Sequence, residues 1–127
     1  MKGILRYIFV SLLLTTSSGF AYASDGNDLL DKCKAAMKLV EGEGEISDNF
    51  KSGVCFGVIR GFRDMNDIYK AGLTDKHALF CPPQKVITGQ LMRIAIKYLE
   101  ENPSKLHERG DYLLLEAYAE AFPCDRS

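Results

Sequence analysis

Phe80-Cys81-Pro82-Pro83 opens, and Ala121-Phe122-Pro123-Cys124 closes, the stretch whose reading decides the fold. Between these two cysteine–proline marks lie two apolar-periodic segments parted by Asn102-Pro103. Leu91, Ile94, Ala95, Tyr98 and Leu99 recur at helical spacing in the first; Leu113, Leu114, Ala117, Tyr118 and Ala121 do so in the second. A proline cannot continue a helix and disfavours helical backbone in the residue before it. The spacing therefore predicts helices near 88–101, capped by Thr88, and near 108–122, with a single turn at 103–107 between them. Cys81 precedes one helix and Cys124 follows the other, so both fall at the open end of an antiparallel hairpin.

Upstream, Leu29, Leu30, Cys33, Ala36, Met37 and Val40 predict a helix near 27–41. Glu41-Gly42-Glu43-Gly44-Glu45 ends it in a solvated acidic loop, with Gly42 suited to the helix C-terminus. Ser47 or Asp48 caps a second helix near 48–71, stopped by Gly72. Its inward face reads as Phe50, Val54, Val58, Phe62, Met65 and Ile68. Residues 73–87 read as irregular, and no segment reads as a strand. The fold class is all-α: a small bundle of four main helices in two antiparallel hairpins. Cys33 lies about eight residues before the end of its helix and Cys55 about seven into the next, which sets them level at ~1.5 Å per residue. The expected pairs are Cys33–Cys55 and Cys81–Cys124, each worth roughly 3–4 kcal/mol on the loop-entropy model.

The N-terminus has a basic start at Lys2 and Arg6, a short apolar core from Tyr7 to Leu14, and a small-x-small site at Ala21-Tyr22-Ala23. This is the anatomy of a cleavable secretory leader, expected at 1–23 with cleavage after Ala23. The apolar run is too short to span a bilayer, which takes about 20 residues. Residues 24–127 form one small domain, a size at which covalent staples matter. All four cysteines lie beyond the leader, as expected for two disulfides in an oxidising space such as the bacterial periplasm. Loss of Lys2 and Arg6 takes the net charge from −1 to −3. That mildly acidic body argues against nucleic acid and suits a basic protein partner.

No enzyme signature is present. His77 stands four residues before Cys81, but a cysteine nucleophile must be free, and an even set in an exported chain is expected to be paired. No C-x-x-C or H-x-x-x-H spacing points to a metal, and no cofactor fingerprint occurs. Glu100-Glu101, and Asp64 with Asp67, read as solvated helix faces. Gly53, Gly57 and Gly61 recur every fourth residue along the second helix. Mid-helix glycine costs roughly 1 kcal/mol relative to alanine, so this ridge predicts close approach of another helix. The favoured neighbour is in the same chain; the alternative is a twin subunit.

The string Phe80-Cys81-Pro82-Pro83, Val86, Thr88, Gln90-Leu91, Tyr98-Leu99, Asn102-Pro103, Leu106 and Ala121-Phe122-Pro123-Cys124 resembles the Rap/Tai immunity proteins of bacterial type VI secretion. Cys55-x-Gly57-x-Ile59-x-Gly61 is similar to that family's second-helix pattern. The resemblance implies an all-helical, disulfide-bonded periplasmic protein, commonly a homodimer. It implies no catalysis, but inhibition of a cell-wall amidase by occlusion of its papain-like cleft. The matched residues are mainly structural, so no inhibitory contact is carried onto a numbered position.

Three surfaces are candidates for that contact: the acidic loop Glu41, Glu43, Glu45 and Asp48; the far end of the second hairpin, Glu100, Glu101, Lys105 and Glu108; and the outer face of the second helix, Arg60, Arg63, Asp64 and Asp67. The alternative function is a small periplasmic acid-stress or folding chaperone of the HdeA type. Such proteins usually carry a single disulfide, and the four cysteines here favour the immunity reading.

Overall fold

A computed structural model describes residues 24–72 and 78–125. The expected leader with its cleavage site at Ala23, and His77, lie outside the described residues. Four α-helices form the fold: α1 (Gly26–Val40), α2 (Asn49–Gly72), α3 (Thr88–Glu101) and α4 (Gly110–Ala121). Short 3-10 turns at Ile46–Asp48 and Pro103–Lys105 join α1 to α2 and α3 to α4. The helix at the centre is α1, which packs against each of the other three. Both expected disulfides are present, Cys33–Cys55 and Cys81–Cys124.

Ser24 is the first described residue. Asp25 caps α1 by accepting from the Asp28 amide at 2.8 Å. Around it, the Gly110 amide donates to the Ser24 carbonyl at 2.7 Å and the Gly26 amide to the Glu108 carbonyl at 3.0 Å. This bridge between Asp25 and Arg109 ties the start of α1 to the start of α4. A Cβ on Gly110 would stand 2.9 Å from the Ser24 carbonyl oxygen, so only glycine lets the two backbones approach. The opposite ends of the expected caps differ. Thr88 is the first residue of α3 rather than its cap, which is Ile87, and Asp48 acts one turn before α2, in the Ile46–Asp48 turn.

The core combines Leu29, Ile59, Leu91, Met92, Leu99, Leu113 and Leu114 around Tyr118 and Phe80, all at most 2 % exposed. Phe80 lies against Tyr118 with ring centroids 5.1 Å apart, and stacks on Phe62 at 6.0 Å. Burial pushes the Tyr118 phenol well above its ordinary pKa, and its hydroxyl donates to the Leu91 carbonyl at 3.3 Å.

The inward face of α2 corrects the sequence reading. Ser52, Cys55, Ile59 and Asn66 are buried. Of the residues expected inside, Val54, Val58 and Phe62 are half-buried, while Phe50, Met65 and Ile68 are exposed. The disulfide fixes this rotation, because Cys55 must face Cys33. Gly53, Gly57 and Gly61 thereby turn to solvent, and a Cβ on any of them would meet nothing within 4 Å. No helix of the same chain packs on the glycine ridge among the described residues.

Asn66 holds the irregular segment after α2. Its amide donates to the Phe80 carbonyl at 2.9 Å, and its carbonyl oxygen accepts from the Leu79 and Phe80 amides at 2.8 and 3.3 Å. Asn66→Ala leaves three backbone groups, the buried amide and carbonyl of Phe80 and the part-buried Leu79 amide, without their partner. We expect a loss of about 3 kcal/mol in urea unfolding, with an unchanged m-value; a loss below about 1 kcal/mol counts against this latch.

Candidate functional site

The described surface feature best built for recognition is the tip of the first hairpin, Val40 to Phe50. The chain leaves α1 through a Schellman arrangement: the Glu43 amide donates to the Lys38 carbonyl at 2.8 Å and the Gly42 amide to the Leu39 carbonyl at 3.2 Å. Gly42 takes φ +80°, a conformation that favours glycine. Gly44 lies so close over Leu39 that a Cβ there would clash. Glu45 and Asp48 then form a capping box over the Ile46–Asp48 turn, with the Asp48 amide donating to the Glu45 carbonyl at 3.0 Å. The Ser52 hydroxyl donates to the Asp48 carbonyl at 2.7 Å, joining the turn to α2. These bonds give the tip one conformation without a partner.

What it presents is apolar within an acidic rim. Ile46 is 88 % exposed and Phe50 78 %. Val40 stands at its edge, also exposed. Glu41, Glu43 and Glu45 are exposed around them and Asp48 is half-buried. The next cation, Lys51, is engaged by Asp31 at 2.8 Å. Below the tip, Glu41 and Glu43 join Glu100 along a groove of about 520 Å³ between α1 and α3 that also carries Met37 and Ile96 and the cations Lys34, Lys38, Arg93 and Lys97, so the groove is mixed in charge. Thus two of the surfaces read as separate in the sequence meet in one region.

The other expected contact residues divide. Glu100 pairs with Lys34 at 2.6 Å and Glu101 with Lys97 at 3.8 Å, both on the surface. Arg60 and Asp64 form an exposed pair at 3.8 Å. Lys105 instead turns into the fold, to Glu116 at 2.9 Å and the Tyr98 hydroxyl at 3.2 Å. Arg63 donates to the Val86 carbonyl and lies near Asp67 at 3.9 Å, clamping the segment before α3. Glu108 is half-buried beside the joint at the start of α4. Lys105 and Arg63 are therefore structural ties. Ile46 was missed by the sequence reading, and Phe50 was assigned to the core. An isoleucine inside an otherwise charged, glycine-broken loop is the signal in the sequence that could have marked it.

The Lys105–Glu116–Tyr98 tie makes a pH prediction. The bond from the Tyr98 hydroxyl, and then the Lys105 ammonium, hold the Glu116 carboxyl below the usual range against the opposing effect of burial. A carboxyl depressed on folding stabilises the protein above its unfolded pKa, and that contribution disappears as pH falls through the folded pKa. The stability gap between wild type and Glu116→Gln should narrow on going from about pH 5 to about pH 3. Parallel denaturation curves at each pH check this, and a constant gap sinks it.

All four cysteines are consumed in the two disulfides, so Cys81 offers no nucleophile. Among the described residues, no three His, Cys, Asp or Glu side chains converge as metal ligands. No helix there is long and apolar enough to cross a membrane. Searches among curated proteins and among solved structures returned no match. The sequence profile of Rap1a immunity proteins, in contrast, matches residues 25–124. That span starts at the cap of α1 and ends at the last disulfide cysteine, enclosing all four helices and both staples. The chain belongs to the Rap1a immunity protein family.

Proposed function

We propose that this protein is a periplasmic immunity protein. Its partner is a papain-like peptidoglycan amidase delivered by type VI secretion, and it works by occluding that enzyme's active-site cleft. The observation that carries the reading is the hairpin tip. A preorganised projection with Ile46 and Phe50 at its end enters a cleft at little ordering cost. Exposed apolar anchors ringed by polar groups are the usual architecture of binding hot spots. The acidic rim of Glu41, Glu43 and Glu45 steers the approach to a basic cleft margin. The chain itself is not an enzyme, needs no cofactor and binds no nucleic acid.

The leader at 1–23 exports it, and cleavage after Ala23 leaves Ser24 at the N-terminus. The Ser24 carbonyl accepts from the Gly110 amide, so the proposed new N-terminus is held to the start of α4. The mature protein acts as a homodimer.

The test is co-expression with a small papain-like amidase from a neighbouring gene, directed to the periplasm. Cells should survive, and a stable complex should elute on gel filtration. Continued lysis with no complex sinks the assignment for that pair.

A further inference from the structure

We propose that Cys81–Cys124 is a site of thiol–disulfide exchange on the folded protein, opened and reclosed by a dithiol protein of the thioredoxin class, while Cys33–Cys55 is closed to such a partner.

The fold places the two disulfides differently. Cys33 and Cys55 are fully buried, each on the inward face of its helix, where α1 packs on α2. A reductant reaches them only when those helices separate. Cys81 and Cys124 are half-buried and belong to no helix. Cys81 lies in the irregular segment before α3, and Cys124 follows the end of α4. Exposed Pro123 and Asp125 flank Cys124, whereas buried Phe80 stands beside Cys81. Exchange depends on access to one of the two sulfurs, and exposed disulfides are the labile and regulatory ones.

The surroundings of Cys81 keep the fold in place when the bond opens. Asn66 holds Leu79 and Phe80 through its three hydrogen bonds. The Phe80 ring lies against both Phe62 and Tyr118. The Cys81 amide donates to the Phe122 carbonyl at 2.8 Å. None of these contacts passes through sulfur. Opening the bond therefore frees the chain end at Cys124 and leaves the helices packed, a local event rather than a global one.

The attacking thiolate forms a bond to the Cys124 Sγ, the more accessible sulfur. The Sγ–Sγ bond breaks, and Cys81 leaves as a thiolate that takes a proton from water. The second thiol of the partner then attacks its own sulfur in the mixed disulfide. That step releases Cys124 as a thiolate, which is protonated in turn. The partner dithiol is oxidised by two electrons, and the Cys81–Cys124 pair is reduced by the same two. The reverse sequence recloses it.

The test is timed reduction of the mature chain by dithiothreitol under native conditions, with iodoacetamide quenching and peptide mass spectrometry. Cys81 and Cys124 should become alkylated at least about a hundred-fold faster than Cys33 and Cys55. The singly reduced protein should keep its helix content by circular dichroism, and its melting temperature should fall by about 20 °C. In urea beyond the unfolding midpoint the two rates should converge, because burial alone separates them. A thioredoxin-class protein with its second cysteine replaced by serine should stall as a mixed disulfide on Cys124. Loss of both disulfides at one rate under native conditions overturns the proposal, as does selectivity that survives in urea. A mixed disulfide on any other cysteine overturns the route of attack. The tip contact is read separately, since α1 and α2 carry it and the other disulfide ties them.

Discussion

Ile46→Asp should abolish protection while leaving the fold unchanged. The side chain is 88 % exposed and belongs to no part of the core, so its replacement removes nothing from the stability of the free protein. A central apolar anchor is worth at least about 2 kcal/mol when truncated, and a buried, unpaired carboxylate costs more. The expected loss of affinity for the proposed amidase partner is therefore at least about a hundred-fold, measured by calorimetry with the purified toxin. The melting temperature should stay within about 2 °C of wild type. Glu43→Gln is the companion variant. It should slow association at low salt and change dissociation little, because a rim charge acts mainly on encounter. Undiminished binding by Ile46→Asp would show that the inhibitory surface lies elsewhere.

The second large effect is expected from the pair Cys33→Ala and Cys55→Ala. Their sulfurs are fully buried and join positions 22 residues apart. Loop entropy alone is worth about 3 kcal/mol there, or roughly 15 °C in melting temperature for a domain of this size. Cys81→Ala with Cys124→Ala should cost comparable stability, about 4 kcal/mol on the same model, from the longer separation of 43. The two pairs should differ in function. The first ties α1 to α2, the helices that carry the tip, so its loss should also weaken toxin binding at temperatures where the protein is still folded. The second lies at the far end of the fold and should leave affinity unchanged. Scanning calorimetry and binding on the same samples decide it. A loss under about 5 °C for the first pair counts against its role as the main staple.

Much of this fold was legible in the chain. Proline after Asn102 and after Phe122 marked where α3 and α4 end, and level placement of Cys33 and Cys55 marked their pairing. The rotation of α2 was not read, although its cue was present. Phe50, Val54 and Val58 make a larger apolar stripe than Ser52, Cys55, Ile59 and Asn66, and hydrophobicity alone selects the larger one. Cys55 lies one residue, about 100°, beyond Val54, so the disulfide already excluded that choice. Asn66 was passed over because a buried asparagine is intelligible only with its backbone partners at Leu79 and Phe80, which are distant in sequence. The candidate site was half legible. The acidic loop stood out by composition, but the exposure of Ile46 depends on how Gly42 and Gly44 turn the chain back over Leu39. Lys105 and Arg63 looked like free surface charges, because their partners Glu116 and Val86 lie on other segments.

The joint between Ser24–Asp25 and Glu108–Gly110 has a consequence for the order of assembly. The α1–α2 hairpin closes over a short loop and can oxidise as soon as both helices exist. The joint spans 86 residues, and loop-closure entropy sets such contacts late. A chain emerging N-terminus first exposes one half of this clasp at the beginning and the other only near the end. Ser24 and Asp25 thus wait without their partners until α4 arrives, and only then is the start of α1 tied to the start of α4.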